Sequence, residues 1–251
     1  MAEADDFYVG YQPRSPAGLA RFTRRGVMLA GLLGLVLGAV FAAAQGPFGP
    51  GIFEYGEPRS FEGIIRAAPV PQLLVERPGR GAGASRFSQY LLVAVGKFGA
   101  EEQARLFDGR HVRVDGTLIG RDRRIMIEVE SIQTSAGSTP DFAPEVESLG
   151  RETYVGEIVD SKCYMGVMKP GSTKVHRACA QRCISGGVPP VLMVRDYLGR
   201  AAYFLLTDED GRGLGREVLP YVGIPIEITG DAEKHGELLV LASDVEDWIA
   251  R

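Results

Sequence analysis

The chain has 251 residues, of which 45% are hydrophobic and 24% are charged, as is typical of globular proteins. Its net charge of -4 and its pI of about 5.5 argue against a protein that binds nucleic acid through the phosphates. The 33 glycines and 15 prolines favour a turn-rich β architecture, and the 3 cysteines are too few and too clustered for a disulfide framework.

The first predicted element is an uncharged segment over residues 27–44, which is long enough to cross a bilayer. Arginines precede it and no Lys or Arg follows up to residue 58. The positive-inside rule therefore predicts a cytoplasmic segment at 1–25, a transmembrane signal-anchor at 26–44 and a linker at 45–58. A cleaved signal peptide is the alternative, because the alanines at 42–44 fit a cleavage site. A buried helix of a soluble domain is disfavoured, because the segment has no polar face.

Residues 23–28, Thr-Arg-Arg-Gly-Val-Met, resemble a twin-arginine export signal, although the usual Phe-Leu pair is absent. The resemblance implies export of the folded protein, often with its cofactor already installed. A plain signal-anchor, whose arginines only set the topology, is the other interpretation. Both interpretations predict a single-pass protein of the bacterial inner (cytoplasmic) membrane, with the bulk of the chain in the periplasm.

The remainder of the chain contains two copies of one strand pattern. Phe-Glu-Gly-Ile-Ile at 61–65 corresponds to Tyr-Val-Gly-Glu-Ile at 154–158, and residues 109–116 correspond to residues 223–230. Apolar and polar residues alternate in these segments with a period of two, which is typical of half-buried strands.

Each copy has about five short strands and a helical turn, at 101–107 in the first copy and at 217–221 in the second. This order resembles the OB-fold, a five-stranded and partly open barrel. The sequence therefore predicts an all-β fold with minor α content, in which two tandem small OB-like barrels follow one N-terminal transmembrane helix. The barrels are expected at 59–133 and 152–251, with a linker at 134–151.

The second copy contains an insert that the first copy lacks. Gly63 and Gly156 are 93 positions apart, whereas Tyr90 and Tyr203 are 113 positions apart, so about 20 residues are added between them. All three cysteines and one of the three histidines lie in this insert, residues 160–187. Because loops on a rigid scaffold commonly carry binding sites, the insert is the predicted functional region.

A helix predicted over residues 173–183 places His176, Cys179 and Cys183 on one face. Cys163 follows the first strand and is expected to close over that face. Three thiolates and one imidazole form a plausible tetrahedral zinc site.

The identity of the metal stays open at this point. Met165 and Met168 offer thioethers near Cys163, which would suit copper(I), and an iron–sulfur centre held by Cys3His is also conceivable. Asp160 and Lys162 precede Cys163 and can support such a site, either by hydrogen bonding to a ligand or as a neighbouring charge.

The favoured hypothesis is a periplasm-facing accessory or electron-transfer subunit, without catalytic activity of its own, that docks to a respiratory-type integral membrane complex. No small-molecule substrate is identified. The first alternative is a structural interaction subunit without a cofactor, in which Cys163 forms a disulfide with Cys179 or Cys183 and so staples the insert. The second alternative is a thiol-dependent enzyme that uses a cysteine together with His176.

Overall fold

A computed structural model describes residues 15–45, 51–77, 87–122, 124–137 and 146–251. Parts of the predicted N-terminal segment and of both linkers, at 1–14, 46–50 and 138–145, lie outside the described residues. The chain divides into two compact units, Met1–Phe48 and Gly49–Arg251.

The N-terminal unit contains helix α1, Ala17–Ala44, whose 28 residues reach about 42 Å at 1.5 Å per residue. Its apolar side chains are exposed on all faces, and the most apolar window has a mean hydropathy of 2.5. The helix begins about ten residues before the predicted span because Pro16 is the first breaker upstream, while the arginines between are good helix formers. Such a helix can span a membrane or serve as a signal sequence.

The first barrel uses five strands, which close on themselves. The elements of this region are β1 Ile52–Phe53, β2 Arg59–Arg66, β3 Gln72–Glu76, β4 Phe87–Ala94, β5 Phe98–Gly99, α2 Glu101–Leu106, β6 His111–Arg121 and β7 Arg124–Thr134. β3 pairs antiparallel with β2 on one side and with β4 on the other. β4 also pairs with β7, in parallel. β6 then closes the ring, because it pairs antiparallel with both β7 and β2. This is the predicted OB-like order, with α2 in the predicted place between β4 and β6.

The second barrel repeats this topology. Its elements are β8 Val146–Asp160, α3 Arg177–Ser185, β9 Pro190–Arg195, β10 Ala201–Thr207, β11 Pro225–His235, β12 Leu238–Ala242 and β13 Ile249–Ala250. β10 pairs parallel with β12, and β11 closes the ring between β12 and β8. A 3₁₀ turn, Arg216–Tyr221, occupies the predicted helical position before β11. The fold prediction of two tandem small barrels after one apolar helix is confirmed.

Strand β8 begins at Val146, within the residues predicted to form the linker. Residues 146–151 are exposed and form an edge strand along the end of β11, whose other side pairs with β12. Because residues 146–151 are exposed on both faces, this segment lacks the apolar alternation that identifies a strand.

A hydrophobic cluster shared by both barrels, which we call the shared core, joins them in one unit. Leu91, Val93 and Met126 enter it from the first barrel, while Tyr164 and Tyr203 enter it from the second. The start of the insert is therefore packed between the barrels and does not project into solvent.

Candidate metal centre

The insert begins directly where β8 ends, at Asp160. A five-residue π-helical turn, Cys163–Val167, follows and lies mostly buried. α3 then begins at Arg177, later than the predicted helix over 173–183, because Thr173 adopts a left-handed conformation with φ of 68°. His176 therefore occupies the position before the first helical residue, and α3 continues beyond Cys183 to Ser185.

The three cysteines converge at one point. Their sulfurs all lie within 4.8 Å of one another, and the Sγ atoms of Cys163 and Cys183 are 3.8 Å apart. Two thiolates on one tetrahedral zinc with bonds of about 2.3 Å would be separated by about 3.8 Å, whereas a disulfide bond requires about 2.05 Å. The three are free thiols, with Cys163 and Cys183 buried and Cys179 partly exposed. This spacing suits a hydrogen bond between two thiols, and the three sulfurs are also close enough together that they could hold one metal ion.

His176 lies in a second group that shares Cys163 with the first. Its Nε2 is 3.1 Å from Oδ2 of Asp160, and the ligand atoms of Asp160, Cys163 and His176 lie within 4.8 Å of one another. The structure does not bring His176 into the three-sulfur group on a common helical face. The physical reason is that His176 precedes α3, so the helical spacing to Cys179 does not apply to it.

Asp160 organises this second group from a fully buried position. Its Oδ1 accepts a hydrogen bond of 2.7 Å from the backbone N–H of Cys163, and its Oδ2 faces His176. A carboxylate in this position can fix the orientation of the His176 ring. Asp160 thus lies beside both Cys163 and His176, and its support of a metal site stays a prediction.

A lysine of the first barrel reaches the site. Lys97 lies in the turn between β4 and β5, and its Nζ donates to Sγ of Cys179 at 2.7 Å and lies 4.0 Å from Sγ of Cys183. The hydrogen bond to Cys179 is the main cause of a raised pKa for Lys97, and the charges of the nearby cysteines add to it. The sequence gives no local signal for this contact, because Lys97 and Cys179 are 82 positions apart.

The two buried thiols have opposite pKa shifts. The hydrogen bond to Cys183, burial and the charge of Asp160 raise the pKa of Cys163. The same hydrogen bond, together with Lys97, lowers the pKa of Cys183. Of this hydrogen-bonded pair, Cys183 is therefore the thiol that more readily loses its proton, and Cys163 is the one that more readily keeps it.

Lys162 forms hydrogen bonds to the chain segment that leads to Lys97. Its side chain is 2% exposed, forms an ion pair with Glu128, and donates to the backbone oxygens of Ala94 at 2.8 Å and Gly96 at 2.6 Å. All of these partners belong to the first barrel. Lys162, one residue before Cys163, therefore ties the insert to the strand and turn of the first barrel that lead to Lys97.

Glycines allow the two barrels to approach closely beside the site. The backbone N–H of Gly99 donates to the oxygen of Gly186 at 2.9 Å. A Cβ on Gly186 would lie 2.0 Å from the oxygen of Lys97, and a Cβ on Gly99 would lie 2.0 Å from the oxygen of Gly187. The glycines after Ser185, which from sequence only end a helix, also provide the space for this contact.

The two methionines named as weaker ligands lie in different environments. Met165 is buried in the shared core and lines a small cavity with Tyr203 and Leu205. Met168 is 42% exposed at the end of the π-helical turn. Their role as copper ligands stays a prediction.

The chemistry of these residues fits a metal ion. The three-sulfur group and the Asp160–Cys163–His176 group can each hold one, with soft thiolate ligands in the first and mixed ligands in the second. Comparisons with protein-family models, with curated proteins and with solved structures found no match for this chain.

Proposed function

We propose that this chain is a membrane-anchored protein of the bacterial periplasm that binds a metal ion through Cys163, Cys179 and Cys183. We further propose that it serves as an accessory or electron-transfer subunit of an integral membrane complex. The observation that carries the proposal is the convergence of the three sulfurs within 4.8 Å of one another, with Cys163 and Cys183 3.8 Å apart, as on a common ion.

Two features of the surroundings support a bound ion. Asp160 and His176 lie beside Cys163, and a ligand from outside could complete the set of donors around the three sulfurs. Cys179 is partly exposed, which gives an ion access to an otherwise buried set of sulfurs. Zinc and copper(I) both suit thiolate ligands, and either would supply the centre with positive charge.

The anchor supports the membrane part of the proposal. α1 is long and apolar enough to span a bilayer, and arginines lie on its N-terminal side. A body held at the membrane surface by a single helix is well placed to meet an integral membrane partner. The absence of a recognisable substrate site in the sequence favours a binding or electron-transfer role.

The test measures metal in the full-length protein purified in detergent from a bacterial host. We expect about one ion per chain and three thiols that react with a thiol reagent only after chelation. Replacement of any one of Cys163, Cys179 and Cys183 by Ser should lower occupancy strongly. His176→Ala should weaken binding by about 10- to 100-fold if His176 holds or orients the centre, whereas His235→Ala should not change it.

The alternatives give different results in the same assay. A disulfide staple predicts metal-free protein with one reactive thiol and a mass increase on reduction and alkylation.

The pair Asp160 and His176 also supplies the orienting carboxylate that a Cys163-dependent enzyme needs. That function predicts one hyper-reactive cysteine, which the burial and raised pKa of Cys163 oppose. Metal-free protein with three freely reactive thiols would contradict the metal proposal.

A further inference from the structure

The sulfur group of the second barrel has a cation from the first barrel at its exposed edge. Nζ of Lys97 is 2.7 Å from Sγ of Cys179, which is close for a hydrogen bond from nitrogen to sulfur, and 4.0 Å from Sγ of Cys183. Neither sulfur lies on the same barrel as this lysine. The site is therefore a composite of both barrels, although all of its candidate ligands lie in the insert of the second.

We propose that Lys97 is a positioning residue of the metal centre, which stays hydrogen-bonded to Cys179 when the ion is bound and so sets how tightly and how long the ion is held. This inference rests on the proposed function. It adds a role for the first barrel, whose described residues contribute no candidate metal ligand.

The reason is the charge of the centre. Three thiolates around one divalent ion carry a net charge of about −1, and around one monovalent ion about −2. Asp160 adds a buried negative charge nearby, and Lys162 is already paired with Glu128. The ammonium of Lys97 lies close enough to neutralise part of the excess.

The structure also explains why this lysine stays in place. Lys162 holds the backbone oxygens of Ala94 and Gly96, which lie directly before Lys97 in the chain. The backbone hydrogen bond from Gly99 to Gly186 holds the turn on its other side. The position of Lys97 is thus fixed by backbone contacts that do not involve its own side chain, so substitutions of that side chain should leave the turn intact.

The experiment compares Lys97→Arg, Lys97→Met and Lys97→Glu in the full-length protein, with the exposed Lys174 of the same insert changed to Met and Glu as matched controls. Metal affinity is measured with zinc by chelator competition, and ion loss is timed with an excess of chelator. We expect affinity to follow the charge at position 97. Lys97→Arg should bind zinc about as tightly as the wild type. Lys97→Met should lose about two- to fivefold in zinc affinity, and Lys97→Glu should lose more. Both Lys174 variants should bind like the wild type.

Two further measurements separate charge from packing. The difference between wild type and Lys97→Met should shrink at high salt, because an exposed ammonium is screened whereas packing is not. With cobalt(II) in place of zinc, the thiolate-to-metal absorption bands should shift in Lys97→Met and return in Lys97→Arg. Circular dichroism establishes that each variant is folded, and the Arg variant tests the inference even if Met or Glu does not fold.

The failure of this inference is distinct from the failure of the proposed function. If the wild type binds no metal, the proposed function fails, and the inference fails with it. If the wild type binds metal and affinity is the same for Arg, Met and Glu at position 97, only the role of Lys97 is refuted. Equal losses for Met and Arg, without salt dependence, would also refute it, since they would indicate packing and not charge.

Discussion

The buried lysine between the barrels provides the most demanding test of this structure. Lys162→Met keeps most of the side-chain volume but removes the charge, so Glu128 loses its partner in a site where the two side chains are only 2% and 12% exposed. The oxygens of Ala94 and Gly96 lose a charged donor at the same time. The change thus perturbs the contact between the barrels without touching a candidate metal ligand.

The expected cost is about 3–5 kcal/mol, the range found when one partner of a buried ion pair is removed and the other stays charged. The double variant Lys162→Met, Glu128→Gln should be less destabilised than the sum of the single variants, because it leaves no uncompensated buried charge. The matched control is Lys234→Met, whose ion pair with Glu147 is 45% and 62% exposed and should contribute at most about 1 kcal/mol.

The assay is urea unfolding of the metal-free protein, followed by circular dichroism and by the fluorescence of Trp248. Trp248 is the single tryptophan of the chain and is 6% exposed in the core of the second barrel. Circular dichroism reports on both barrels, so a comparison of the two signals shows whether the barrels still unfold together. In Lys162→Met we expect the unfolding transition seen by circular dichroism and the one seen by Trp248 fluorescence to have different urea midpoints. A loss below about 1 kcal/mol, equal to that of Lys234→Met, would refute the argument that this buried pair joins the barrels.

Three further predictions follow from other parts of the molecule. Gly99→Ala and Gly186→Ala should each cost about 1–3 kcal/mol in urea unfolding and weaken metal binding, because their Cβ atoms would overlap backbone of the opposite barrel. Gly120→Ala, whose Cβ would meet its neighbours at 3.5 Å or more, should be tolerated. Burial raises the pKa of Glu157, so stability due to its protonated form is present at low pH and is lost as the pH rises through that raised pKa. Glu157→Gln does not titrate and should therefore gain stability over the wild type as the pH rises from about 4 to 7; the opposite trend would contradict the assignment. A chain that lacks residues 1–45 should fractionate with soluble proteins while the full chain fractionates with membranes, and equal fractionation would exclude α1 as the anchor.

The barrels could be predicted from the sequence because their signals are local and repeated. Short strands with a period of two recur in the same order in both halves, and burial on one face of each strand maintains that period. The exposed segment at residues 146–151 falls within the linker that the Ser, Gly and Pro content of residues 134–148 predicts. Only its pairing with β11, interrupted by a bulge between Ala232 and Glu233, defines it as a strand.

The sequence alone points to the candidate site, since all three cysteines and His176 fall within one insert of a repeated fold. Tertiary structure decided which of these residues meet. It grouped the three sulfurs and placed His176 against Asp160, at the start of a helix that begins later than its sequence pattern indicates. It also brought Lys97 from 82 positions away to Cys179, a contact that depends on how two barrels pack and therefore leaves no trace in local spacing.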